Sequence, residues 1–182
     1  MINNNLNFFT DYLIASLRLS VPLAFAALGG LFSERSGVIN IALEGMLLSG
    51  AFASAVGAFF TGNVWLGLLL AIIVGGIVGL LHAYLCVSLR VDQLVSGLAI
   101  NLTVAGLTSF WARILFNSGQ AQKLPGINTI AIPGLKNIPI IGSLIFNQDP
   151  LIYLLFLLVP FTTYLILRTS LGLSLRAVGE YP

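Results

Sequence analysis

The chain has 182 residues, of which 58% are hydrophobic and only 8% charged, against about a quarter charged in an ordinary soluble domain. A single soluble globule of this length is therefore excluded in favour of an integral membrane protein. Eight basic and six acidic residues give a net charge of +2 with no block of like sign, and the one cysteine is Cys86, which excludes a nucleic-acid face, an intrachain disulfide and a Cys/His metal cage.

A bilayer core of about 30 Å needs roughly 20 apolar residues per helix. Five runs meet that length: Phe8–Phe32, Val38–Phe60, Val64–Leu89, Asp92–Phe116 and Leu151–Arg168. They lack the period-two alternation of barrel strands, so the expected fold is an all-α integral membrane protein. Met1 to Thr10 contains no Lys or Arg, so the basic start of a secretory signal is missing and the first helix is expected to be retained. Short links join the first four runs. Residues 117–150 form a long loop punctuated by Gly119, Pro125, Gly126, Pro133, Gly134, Pro139 and Gly142, yet carry an Ile-rich piece from Ile138 to Phe146; this predicts a structured surface or re-entrant loop.

Arginine placement orients the chain. With Arg35, Arg90, Arg168 and Arg176 cytoplasmic, alternation puts the N-terminus and the long loop with Lys123 and Lys136 on the far side, a modest bias that leaves the inverted topology open. Gly75 and Gly79, and the series Gly50, Ser54 and Ala58, have the four-residue spacing that lets helix backbones approach closely. That spacing predicts compact helix pairs without saying which helices pair. Pro22 and Pro160 are candidate kinks in the first and fifth spans.

Charge inside lipid is expensive, by at least about 2.5 kcal/mol on insertion scales, so intramembrane ionisable groups are functional candidates. Arg18, Glu44, His82 and Arg113 qualify. Arg113 is near a helix end and can snorkel, and His82 reads as a neutral packing histidine. Asn40 and Glu44, four apart, are expected to share a helical face with Leu47 and Ala51. That patch either lines a pathway or reflects a salt bridge from Glu44 to Arg35 or Arg18. Gln93, Gly97, Asn101 and Thr108 fall within an arc of roughly 80° on the fourth helix; the stripe serves inter-helix hydrogen bonding, a hydrophilic path, or both. No phosphate loop, nucleophile or dinucleotide motif is present. The chain is thus expected not to be an enzyme, and any energy comes from a partner or a gradient.

Four stretches carry a family likeness: LGGLFSERSGVINIALEGM from Leu28 to Met46, DQLVSGLAINL from Asp92 to Leu102, the Pro-Gly turns at Leu124–Gly126 and Ile132–Leu135, and GLSLRAVGE from Gly172 to Glu180. In this order they resemble bacterial ABC-transporter permeases of the nucleoside and simple-sugar type, within the branched-chain amino acid and ribose permease superfamily. The resemblance implies a permease subunit of an ATP-binding cassette importer in the bacterial inner membrane. The stretch 169–182 begins a cytoplasmic coupling segment, with Gly172, Leu175, Arg176, Ala177, Val178, Gly179 and Glu180 meeting the ATPase. Asn40, Glu44, Gln93 and Asn101 are the expected pathway residues. The implied partners are a second permease subunit, an ABC ATPase that holds ATP and Mg, an extracytoplasmic substrate-binding lipoprotein and membrane lipid, with no cofactor on this chain. The chain is expected to be the N-terminal part of a longer permease. The alternatives are a gradient-driven carrier or channel, with Glu44 and His82 as sensors, and a truncated fragment that does not transport.

Overall fold

In lipid a spanning segment must satisfy its own backbone groups, and the apolar runs do so as helices. The computed structural model describes residues 2–116, 125–131 and 144–180, with side chains from Phe8 onward except at Ala131. It contains α1 (Ile2–Arg35), α2 (Leu43–Thr61), α3 (Val64–Ala83), α4 (Gln93–Leu115), α5 (Pro150–Arg168) and α6 (Ser170–Glu180). Among the described residues five stretches are long and apolar enough to cross a membrane: Phe8–Arg35, Leu43–Thr61, Val64–Ser88, Gln93–Leu115 and Pro150–Arg168. The chain is a multi-pass, all-α membrane protein.

Local chemistry sets the helix ends. Gly62, at φ 67°, closes α2 through its N–H to the Ala58 carbonyl, a left-handed cap that glycine adopts without a Cβ penalty. The side chains of Asn63 and Asp92 accept from Trp65 N and from Leu94 N and Val95 N, starting α3 and α4. Pro150 opens α5 where its missing N–H has no helical partner to lose.

Two helix boundaries differ from the sequence expectation, and the loop contains a strand pair. The second span does not begin at Val38: residues 38–42 are non-helical and α2 starts at Leu43. The third helix gives way to a π-helical turn at Tyr84–Ser88 before Leu89. Within the loop, Ile130–Ala131 and Asn147–Gln148 pair antiparallel, Ile130 facing Gln148. Lys123, Lys136, most of the Ile-rich piece and the second Pro-Gly turn lie outside the described residues.

The chain divides into two compact units. The first comprises Met1–Gly29 and Ile127–Arg176. Here Val21 of α1 is buried with Ile152 and Leu155 of α5, flanked by Leu17, Ala24, Phe25 and Leu28. Lipid tails are as apolar as these side chains, so their gain is close packing rather than escape from water. The start of α5 is tied down by polar groups. Arg18 Nε lies 4.0 Å from Asp149 Oδ2 and donates to Gln148 Oε1 at 3.5 Å. Tyr153 OH donates to the Ile130 carbonyl at 3.1 Å and accepts from Gln148 N at 3.3 Å.

Arg18 therefore stands level with the first turn of a spanning helix, where its charge finds a carboxylate. At 4.0 Å the contact lies at the outer limit of an ion pair, so the pair is a weak one. A double-mutant cycle of Arg18→Ala and Asp149→Asn is expected to return a coupling of about 0.2–1 kcal/mol in detergent unfolding, and a value several times larger would mean the pair is desolvated.

The second unit comprises Gly30–Gly126 and Ala177–Pro182. Its α2–α3 hairpin closes on small residues. A Cβ on Gly67 would lie 2.7 Å from the Ser54 carbonyl, and one on Gly57 would lie 3.0 Å from Gly67 Cα. Gly50 meets Ala71, while Gly75 and Gly79 meet Met46. Both small-residue series of the sequence thus serve one helix pair. His82, buried, holds α3 to α4 through Nδ1 and Ser96 Oγ at 3.1 Å.

Candidate functional site

The break between α1 and α2 organises the polar residues of the second unit. After Arg35 the N–H groups of Ser36, Gly37 and Val38 fold back to the carbonyls of Phe32, Ser33 and Glu34. Gly37, at φ 86°, turns the chain through a region that other residues rarely adopt. The N-cap position of α2 is Ala42, whose side chain makes no cap bond, so the first turn of α2 must find its partners elsewhere.

Helix α4 supplies one at Gly45 N–H and bonds the segment just before α2. Asn101 Oδ1 accepts from Gly45 N at 2.8 Å while its Nδ2 donates to the Ile41 carbonyl at 2.9 Å. Gln93 Oε1 accepts from Ile39 N at 2.8 Å. Between them Gly97 lets the strand of chain lie directly on the helix, since a Cβ there would be 2.6 Å from Ile41 Cβ. Residues 93, 97 and 101 recur every four residues and form one strip down α4. The strip explains the late start of α2: backbone groups at 39, 41 and 45 are bonded by side chains of α4 instead of by a helical turn.

This geometry places the expected pathway residues in different environments. Asn40 is not on α2, so it does not share a helical face with Glu44, Leu47 and Ala51. Its Oδ1 is buried with no hydrogen-bond partner among the described residues, and its Nδ2 is 3.8 Å from Met46 Sδ, too long for a strong bond to sulfur. Glu44 lies in the first turn of α2 and is exposed. Among the described residues Glu44 forms no ion pair with Arg35 or Arg18, so the salt-bridge alternative for this patch is not seen there; Arg18 pairs with Asp149 instead. Gln93 and Asn101 spend their amides on backbone groups. Thr108 bonds the Val104 carbonyl of its own helix at 2.7 Å. No group of three or more His, Cys, Asp or Glu side chains that could hold a metal ion occurs among the described residues.

Helix α6 occupies the expected coupling segment. Thr169 Oγ1 accepts from Gly172 N at 3.2 Å and starts it. Gly172, Leu175, Arg176 and Gly179 are the more buried positions, whereas Leu171, Leu173, Ala177, Val178 and Glu180 are exposed. A Cβ on Gly172 would collide with the carbonyls of Leu165 and Ile166, so the turn into α6 requires glycine. Leu171 and Leu173, not among the expected coupling residues, have side chains 70% and 63% exposed. Their signal lies in the sequence: two leucines flank Gly172 at the start of a polar stretch.

The chain resembles several transport proteins. It is 40% identical over 176 residues to the guanosine ABC transporter permease protein NupQ of Bacillus subtilis, covering 92% of this chain and 55% of that protein. It is 38% identical over 170 residues to the nucleoside ABC transporter permease protein NupC of Lactococcus lactis, covering 90% and 54%. With the putative glucose ABC transporter permease protein TsgC13 of Haloferax volcanii it shares 37% over 182 residues, covering 97% and 54%. The chain thus spans about half the length of these relatives. No solved structure matches it. The family model of the branched-chain amino acid transport system permease component matches residues 12–182, and the chain belongs to that family.

Proposed function

We propose that this chain is the membrane-spanning part of a permease subunit of an ATP-binding cassette importer for nucleosides or simple sugars. The similarity to nucleoside and sugar permeases over nine-tenths of the chain carries this reading. ATP and Mg sit on a partner ATPase, this chain holds no cofactor and catalyses no reaction, and a second permease subunit and an extracytoplasmic binding lipoprotein complete the machine. The exposed row Leu171, Leu173, Ala177, Val178 and Glu180 of α6 meets the ATPase, which puts the C-terminal end on the cytoplasmic side of the bacterial inner membrane. Gly172, Leu175, Arg176 and Gly179 support the coupling helix from behind.

In this reading the solute path runs past the α1–α2 break. Glu44 contributes an exposed carboxylate suited to hydroxyls and nucleobase edges, and Asn40 an amide whose Oδ1, buried in this conformation, has no partner among the described residues. Gln93 and Asn101 take part by holding the break in shape. ATP-driven motion alternates access by favouring one conformation over the other.

Uptake of labelled guanosine and of labelled pentose by the complete transporter tests the proposal. Transport should require the ATPase; uptake that persists without it and follows the membrane potential would establish a gradient-driven carrier. Glu44→Gln is expected to lower uptake about tenfold or more, the loss of one charge-assisted hydrogen bond of about 1.5–3 kcal/mol. Its amount in the membrane should not change, because Glu44 has no ion pair among the described residues.

A further inference from the structure

The last turn of α6 rests on the α1–α2 turn with no side chain between them. A Cβ on Gly37 would lie 3.3 Å from Gly179 Cα; one on Gly179 would collide with the Arg35 carbonyl and come within 3.1 Å of Gly37 N. Two glycines thus meet backbone to backbone. A contact of this kind has no rotamers to absorb a displacement, so a shift of the helix end must move the turn.

The far side of that turn is equally constrained. Residues 39–45 are held to α4 by the Gln93 bond at 2.8 Å and the two Asn101 bonds at 2.8 and 2.9 Å. Between the two anchorages, Val38–Ala42 makes no helical turn of its own. Segments at the ends of elements are where large φ/ψ changes are taken up in hinge motions. The same segment carries Asn40, whose buried Oδ1 has no partner among the described residues.

We propose that Gly37 and Gly179 form a joint through which displacement of α6 rearranges Val38–Ala42 and thereby repositions Asn40 and Glu44. This inference rests on the permease reading and adds to it a route from the coupling helix to the polar residues. Gly179 is a positioning residue: it touches no solute and acts through the turn.

The test uses the complete transporter in membrane vesicles, with Cys86→Ser and Ile39→Cys introduced. Ile39 is 59% exposed, and its N–H bond to Gln93 survives the change of side chain. The rate of maleimide labelling at position 39 is expected to differ about fivefold or more between nucleotide-free and ATP-bound states, the lower end of typical coupling between sites. Adding Gly179→Ala should erase that difference while ATP hydrolysis continues and uptake falls. Gly29→Ala, where a Cβ meets nothing within 4 Å, should preserve it.

A nucleotide response that survives Gly179→Ala overturns the joint. Should Gly179→Ala fail to assemble, the protein with Gly179 intact still decides the matter: labelling at position 39 that ignores nucleotide while ATP-driven uptake proceeds also overturns it. Uptake with no ATP requirement defeats the permease reading instead, and the two failures are thereby separate.

Discussion

Asn101→Leu is expected to destabilise the protein by about 2–4 kcal/mol, because it removes one side chain and strands two backbone groups, Ile41 C=O and Gly45 N–H. Removing a partner from a buried polar group costs more than the hydrogen bond is worth, since the group left behind has already given up its alternative partners. Asn101→Asp keeps an acceptor for Gly45 N–H but sets a carboxylate against the Ile41 carbonyl, and should rescue little. Thr108→Val is the control. Its hydroxyl bonds only carbonyls of its own helix, so the loss should stay within about 0.5 kcal/mol. Thermal unfolding in detergent measures all three. If Asn101→Leu unfolds at the wild-type temperature but abolishes uptake, Asn101 touches the solute rather than holding the α1–α2 break.

Gly97→Ala should have an effect of similar size and a different cause. The new methyl would sit 2.6 Å from Ile41 Cβ and 3.1 Å from Ala42 N. The first neighbour branches directly at the backbone and the second is backbone, so neither can swing away as a flexible side-chain tip would. The expected cost is about 1–3 kcal/mol, the usual range for overpacking, with loosening of the Gln93 and Asn101 bonds on either side. Glycines with open space around them should respond with the opposite sign. At Gly76 and Gly106 a Cβ meets nothing within 4 Å, so alanine there should be neutral or stabilise by up to about 1 kcal/mol through helix propensity. An equal cost at Gly97 and Gly76 would show that the close approach of residue 41 to α4 does not exist in the membrane.

The polar stripe on the fourth helix illustrates how far periodicity reaches. Gln93, Gly97 and Asn101 were legible as one face because helical spacing is fixed by backbone geometry. Their partners were not legible. Nothing in the order of residues says that an amide eight positions into α4 bonds a carbonyl sixty residues earlier. The same limit applies at Asn40: the apolar run begins at Val38 and predicts a helix there, whereas residues 38–42 are non-helical. Helix formation there is overridden by hydrogen bonds from α4, a tertiary effect that a window of local hydropathy cannot register. Arg18 was similarly legible as an expensive charge, but its partner lies 131 residues away.

The glycines divide in the same manner. Gly75 and Gly79, with Gly50, Ser54 and Ala58, announced close helix packing by their spacing, and the structure joins them in one α2–α3 pair. Gly37 and Gly179 carried no such signal, for they lie on segments 142 residues apart in the chain. Their role becomes visible only when the two backbones are found in contact.

What the amino-acid order settled by itself was the membrane, the number and approximate extent of the spans, and the family, because hydrophobic length and motif order are properties of contiguous residues. What the tertiary structure alone decided was where α2 starts, which amides are committed to backbone groups, and which side of α6 is left open. Those outcomes depend on groups that are distant along the chain and close in space, and in lipid each backbone N–H or C=O must take whichever such partner the fold brings to it.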